Sequence, residues 1–189
     1  MEGLKKYLQQ FYEVPDDILQ PYLKLWRPYD ISKKQLMRSE GEVELYLYFV
    51  LEGVQKSYYL HKDKEYVIAF AYAPSFSGIP DSFFTQTPSR YYLESITASH
   101  FLRISYEQHQ QYLSAHREIE TLYRKVAETF LHGVIQRQHE IMALSIEERF
   151  RAFAGRSAHL LQIIPQKDIA SYLNISPTNF SKLINRIRI

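Results

Sequence analysis

The sequence predicts an α+β chain: an antiparallel double-stranded β-roll with flanking helices, then a long helix, then a small all-α unit of crossed helices. Three observations carry this. Short runs of alternating apolar residues, separated by turn residues, fill residues 38–104, which is the texture of an antiparallel roll or barrel. After Ser105 the apolar period changes from two to 3.6 and holds as far as Leu144, which marks a helix. Beyond it, two short segments patterned for helix meet at a turn within residues 166–184.

Taken in order, Leu4, Leu8 and Phe11, then Ile18, Leu19 and Leu23, give two short helices broken near Pro15. Leu45, Leu47 and Phe49 alternate with Tyr46, Tyr48 and Val50 and run into Glu52-Gly53; a second strand follows over 54–60. The polar turn His61-Lys62-Asp63-Lys64 leads to a third, where Tyr66, Ile68 and Phe70 alternate with Val67, Ala69 and Ala71. Further strands are expected at 90–98 and 100–104. The period-3.6 stretch reads as one long helix. Counted only over 118–144 it would run about 40 Å, longer than a domain this small is wide, so apolar surface remains for a second copy of the chain. The expected dimer contacts are Ile119, Leu122, Tyr123, Val126, Phe130, Gly133 and Val134. The expected division is a sensor roll at 1–113, a dimerisation helix at 114–144 and a terminal helical domain at 145–189.

Composition narrows the function classes. An apolar fraction of 46% with 23% charged residues is that of a globular chain, and 16 Tyr with 11 Phe supply core material. No stretch of about 18 uncharged apolar residues occurs and Met1–Lys6 lacks the order of an export signal, so a cytoplasmic protein without a membrane partner is expected. The absence of cysteine excludes disulfides, thiolate zinc sites, cysteine-ligated iron-sulfur clusters and thiol redox sensing. The seven histidines are scattered, and although His132 and His139 lie seven apart, no metal site is assigned. Residues 144–189 carry net +4 against −2 for the rest, the footprint of an end that meets phosphate. No nucleophile–base pair, carboxylate pair or phosphate loop has the spacing of a mechanism, so no enzyme is expected.

The strongest motif begins at Gln166-Lys167-Asp168-Ile169-Ala170 and continues through Ser171-Tyr172-Leu173-Asn174-Ile175-Ser176-Pro177 to Thr178-Asn179-Phe180-Ser181-Lys182-Leu183-Ile184. A helix-turn-helix needs a small residue where the helices cross, here Ala170, and a turn residue that tolerates positive φ, here Asn174. Ile169, Leu173, Ile175, Phe180 and Leu183 supply its core. Ser176 suits the N-cap and Pro177 the first helical position. Phe180, Leu183, Ile184 and Ile187 share the inward face of the second helix. Its outward face holds short hydrogen-bonding residues and then cations, as a major-groove reader requires. The candidate DNA-binding residues are Ser176, Thr178, Asn179, Ser181, Lys182, Asn185, Arg186 and Arg188.

On these residues the chain resembles the Crp/Fnr superfamily of bacterial regulators over nearly its whole length. Leu45-Tyr46-Leu47-Tyr48-Phe49-Val50-Leu51-Glu52-Gly53-Val54 resembles the family's strand pair, residues 105–145 its dimer helix, and Glu147-Glu148-Arg149-Phe150 the helix that opens its DNA-binding domain. The resemblance implies a cyclic-nucleotide-binding-like roll and a homodimer that reads a pseudo-palindromic double-stranded operator. RNA polymerase would be a further partner, although no residue marks the surface that would touch it. Relatives that bind cyclic nucleotides carry Gly-Glu for the ribose and an arginine for the phosphate. Here Gly78 is in place, but Ile79 stands at the glutamate position and Ser89, beside Arg90, at the arginine position. Losing that charge-assisted pair argues against cyclic AMP or GMP. The effector is left unassigned, and Gly78, Ile79, Ser89, Arg90, Tyr91 and Tyr92 are the pocket candidates, with Tyr91, Tyr92 and Phe83 available to fill a vestigial pocket. Because the sequence stops at Ile189 with no β-hairpin wing, weak and steeply salt-dependent DNA affinity is expected. The alternative function is a small-molecule or protein interaction module of this fold whose helix-turn-helix no longer reads DNA.

Overall fold

The computed structural model describes residues 1–186, apart from the side chain of Asn185. Two short helices, α1 (Glu2–Leu8) and α2 (Asp16–Leu23), precede strands β1 (Arg27–Ile31), β2 (Leu36–Arg38), β3 (Tyr46–Glu52), β4 (Val54–His61), β5 (Lys64–Tyr72) and β6 (Ser75–Ser77). Helix α3 (Pro80–Thr85) leads to β7 (Tyr92–Ser95) and β8 (Ser99–Ser105). Then come α4 (Tyr106–Ala115), α5 (Arg117–Ala143), α6 (Ile146–Ser157), a 3-10 turn (Ala158–Gln162), α7 (Gln166–Tyr172) and α8 (Pro177–Arg186). The strands form two four-stranded sheets, β1-β8-β3-β6 and β2-β7-β4-β5, with antiparallel pairing throughout. The molecule is therefore α+β, a double-stranded β-roll with flanking helices.

Strand alternation decides where each side chain goes. On the first sheet Phe49 faces Leu102 and Leu47 faces Ile104, and these four pack with Leu4, Leu8, Leu19, Tyr22 and Trp26 of the helical layer. The residues between them, Tyr48, Val50 and Phe101, join Ile31 inside the roll. Gly53 alone links β3 to β4, with φ +95°; a Cβ there would lie 2.2 Å from Ser99 Oγ. Only glycine meets both demands.

Strands β1, β2 and β6 were not expected. They are three to five residues long, too short to show alternation. The single long helix expected after Ser105 is also corrected: His116, with extended backbone (φ −135°, ψ 104°), separates α4 from the 27-residue α5. The break lets α4 fold back so that His109 packs against Tyr123 of α5.

That break corrects the dimer contacts too. Ile119, Leu122 and Tyr123 lie in the core formed with α1, α2 and the first sheet, and no more than 8% of any of them is exposed. They hold α5 on its own roll, so a partner cannot reach them. Of the remaining candidates, Val126 is half-buried and Phe130, Gly133 and Val134 are exposed.

Candidate nucleic-acid interface

The terminal unit begins at Ser145, whose hydroxyl accepts from the Glu148 amide while the Glu148 carboxylate accepts from the Ser145 amide. This reciprocal cap starts α6 at a fixed point. Phe150 and Phe153 of α6 then pack with Leu160, Ile164, Ile169, Ala170, Leu173, Ile175, Phe180 and Leu183 in one cluster. Between α7 and α8 the chain turns at Asn174 with φ +53°. Ser176 Oγ accepts from the Asn179 amide at 3.3 Å, and Pro177 opens α8.

Phe180 and Leu183 point inward and Ile184 is half-buried, whereas Ser176, Thr178, Asn179, Ser181, Lys182 and Arg186 are exposed on the opposite side. Six of the eight DNA-binding candidates thus share one open surface. Ser176 spends its hydroxyl on the cap. Arg188 and the side chain of Asn185 lie outside the described residues, as does Ile187.

The +4 charge of this quarter is only partly available to phosphate. Arg149 is 9% exposed and donates to the Leu173 carbonyl at 2.8 Å, bracing the turn between the helices. Arg156 is paired with Glu140 of α5, and Arg151 and Arg186 with Glu147. Among the described residues Lys167 and Lys182 take part in no ion pair. Sequence charge could not separate these roles, because they depend on which cation the fold buries.

The unit also docks on the roll. Its α6 and α7 cover the outer face of the second sheet, where Val54, Ile96, Phe70 and Tyr72 join the same apolar cluster. Arg137 of α5 lies over the Tyr172 ring at 4.0 Å and donates to the Tyr172 carbonyl. This docking was not foreseen, since its hydrogen bonds to the roll join residues as far as 106 positions apart.

The pocket candidates stand in different settings. Gly78 has φ +136°, and Ile79 is 2% exposed at the start of α3. Ser89 is buried with its hydroxyl donating to the Tyr91 carbonyl and accepting from the Tyr91 amide. Arg90 is exposed. Tyr91 meets Tyr59 edge-on. Tyr92 pairs across β7 and β4 with Tyr58, which it stacks upon at 5.1 Å. The same register puts Tyr92 on the face of Lys56 and Glu94, which carries the terminal unit, and not inside the roll. Its placement as a pocket residue is corrected accordingly. Phe83 is buried against Tyr106 and His109, away from both tyrosines. In the described residues no helix is long and apolar enough to cross a membrane.

No protein-family profile and no curated protein sequence matches the chain. Solved structures do. FixK2 from Bradyrhizobium japonicum aligns with TM-score 0.74 at 16% identity over 85% of this chain and 83% of its own. CooA from Carboxydothermus hydrogenoformans, in a doubly substituted form, aligns with TM-score 0.65 at 19% identity over 87% and 77%. The c-di-GMP responsive global regulator CLP of Xanthomonas campestris aligns with TM-score 0.64 at 16% identity over 91% of each chain. At such identities the likeness establishes the fold.

Proposed function

We propose that this chain is a homodimeric, sequence-specific DNA-binding transcription regulator of the Crp/Fnr type. The observation that carries the reading is the surface of α8. Thr178, Asn179, Ser181 and Lys182 stand exposed together on the second helix of a crossed pair, with Phe180 and Leu183 locking its other side inward. A polar helix presented this way fits a major groove, where short amide and hydroxyl side chains read base edges and cations meet phosphate. Thr178, Asn179 and Ser181 read bases; Lys182 binds the backbone, and Arg186 joins it where phosphate displaces its exposed pairing with Glu147. The regulators this chain resembles in fold support the reading.

The effector is not a cyclic nucleotide. Ile79 offers no acceptor to a ribose, and the Ser89 hydroxyl is already committed to the Tyr91 backbone. A buried ligand charge without a partner costs several kcal/mol.

The test is selection from a random double-stranded library at low salt. A palindromic site should be enriched. Asn179→Ala should relax preference at one position in each half-site, a cost of about 1–3 kcal/mol, whereas Lys182→Ala should weaken all sequences alike and lower the salt slope by about one. Failure of the folded protein to enrich any site would exclude this function.

A further inference from the structure

The junction between roll and terminal unit has an ionic centre. Lys56 of β4 is 4% exposed, and its ammonium lies 2.8 Å from Glu65, 3.5 Å from Asp168 and 3.9 Å from Glu94. Asp168 belongs to α7 and is itself 4% exposed. Glu65 and Glu94 belong to the second sheet, so among the described residues Lys56 is the one cation tying α7 to it. Burial alone would oppose the ammonium, but the Glu65 hydrogen bond and the Asp168 and Glu94 charges prevail and raise its pKa.

Beside this centre, β5 is the edge of its sheet, where unpaired backbone groups need a partner. Ser171 of α7 provides one. Its hydroxyl accepts from the Val67 amide at 3.0 Å and donates to the Glu65 carbonyl at 3.0 Å. Farther along, Phe70 packs on Tyr172 and Tyr72 bonds Ser157 at 2.6 Å. Apolar contacts alone would let the unit slide or tilt on the sheet. Directional bonds at Lys56 and Ser171 specify one seating.

We infer that Lys56 is a positioning residue that fixes how the helix-turn-helix sits on the roll, and thereby sets the half-site spacing that the dimer reads. This rests on the DNA reading proposed above. Two recognition helices match two half-sites only if each is held at a defined place on its protomer. Removing Lys56 leaves buried Asp168 facing carboxylates without a cation, an arrangement that relaxes by opening.

The experiment has two arms on the full chain. Amide exchange of Lys56→Met and of the milder Ser171→Ala should be faster at Val67 and along α7 and unchanged in β8; Lys56→Arg, which keeps the cation, should stay near wild type. Binding to half-sites separated by one base pair more or fewer should fall roughly tenfold for wild type but change little for Lys56→Met and Ser171→Ala. If both variants keep wild-type exchange at Val67, or keep its spacing preference, Lys56 is not a positioning residue. If wild type enriches no paired site while the exchange arm behaves as expected, the DNA reading fails and the docking contact stands.

Discussion

His109 lies 1% exposed between α4 and α5, with Nδ1 2.9 Å from the Tyr22 hydroxyl, which in turn donates to Tyr123 at 2.8 Å. Since the single Tyr22 proton goes to Tyr123, the imidazole is the neutral form that donates from Nδ1. Desolvation lowers its pKa to about 4. The unfolded chain therefore takes up a proton near the ordinary histidine value while the folded chain waits until about 4. Stability is complete above about pH 6.5 and declines as the pH falls through that window, by up to about 3 kcal/mol for this group. Urea unfolding at pH 7 and pH 4.5 should show a smaller loss for His109→Gln than for wild type; equal losses would refute the assignment. The sequence alone marked His109 as one of seven scattered histidines, because its burial depends on α4 folding back. Asn174 and Ser176 were legible for the opposite reason: a left-handed turn and an N-cap are local demands that one residue type meets. Arg149 entered the sequence reading only through the net charge of 144–189 and the helix at 147–150, and only tertiary contact reveals it as a brace.

Between strands, Gly53 must turn the chain from one sheet to the other against the start of β8. Gly53→Ala combines positive φ with a Cβ inside contact distance of Ser99 Oγ, the Ala98 carbonyl and Ser99 Cα, two of which are backbone and cannot swing away. A destabilisation of about 2 kcal/mol or more is expected, measurable as a lowered unfolding midpoint; a midpoint within error of wild type would mean the turn is looser than its geometry implies. The strands themselves were visible in the sequence because β3, β4 and β5 are seven to nine residues long and are bounded by Gly53 and the polar turn at 61–64. Helix periodicity was equally legible after Ser105, yet the break at His116 was not. Tyr112 and His116 stack at 4.3 Å across it, a contact between residues that would suit a continuous helix just as well.

Helix α5 does three jobs along its length. Its first turns are sealed into the roll's core, and near its end Glu140 and Arg137 hold the terminal unit. Between and around these anchors Phe130, Leu131, Val134, Ile135, Ile141 and Met142 are 37–77% exposed. Spacings of three, four and seven residues gather them on one arc, and an apolar arc of this size on a regular helix calls for a covering surface. A second α5 is the natural cover, because a twofold axis along the helix brings the same stripe against itself. The expected seam therefore lies C-terminal to the one read from sequence, keeping Phe130, Gly133 and Val134 and adding Leu131, Ile135, Ile141 and Met142. Phe130→Ser with Ile135→Glu should convert a dimer to a monomer in sedimentation at about 10 μM. Within one chain those side chains are largely exposed, so the melting of an isolated protomer should change by no more than about 0.5 kcal/mol for each. The same pair should abolish preference for paired half-sites while leaving weak binding to single ones. Wild type sedimenting as a monomer would remove the second recognition helix, and with it the basis for reading a palindrome.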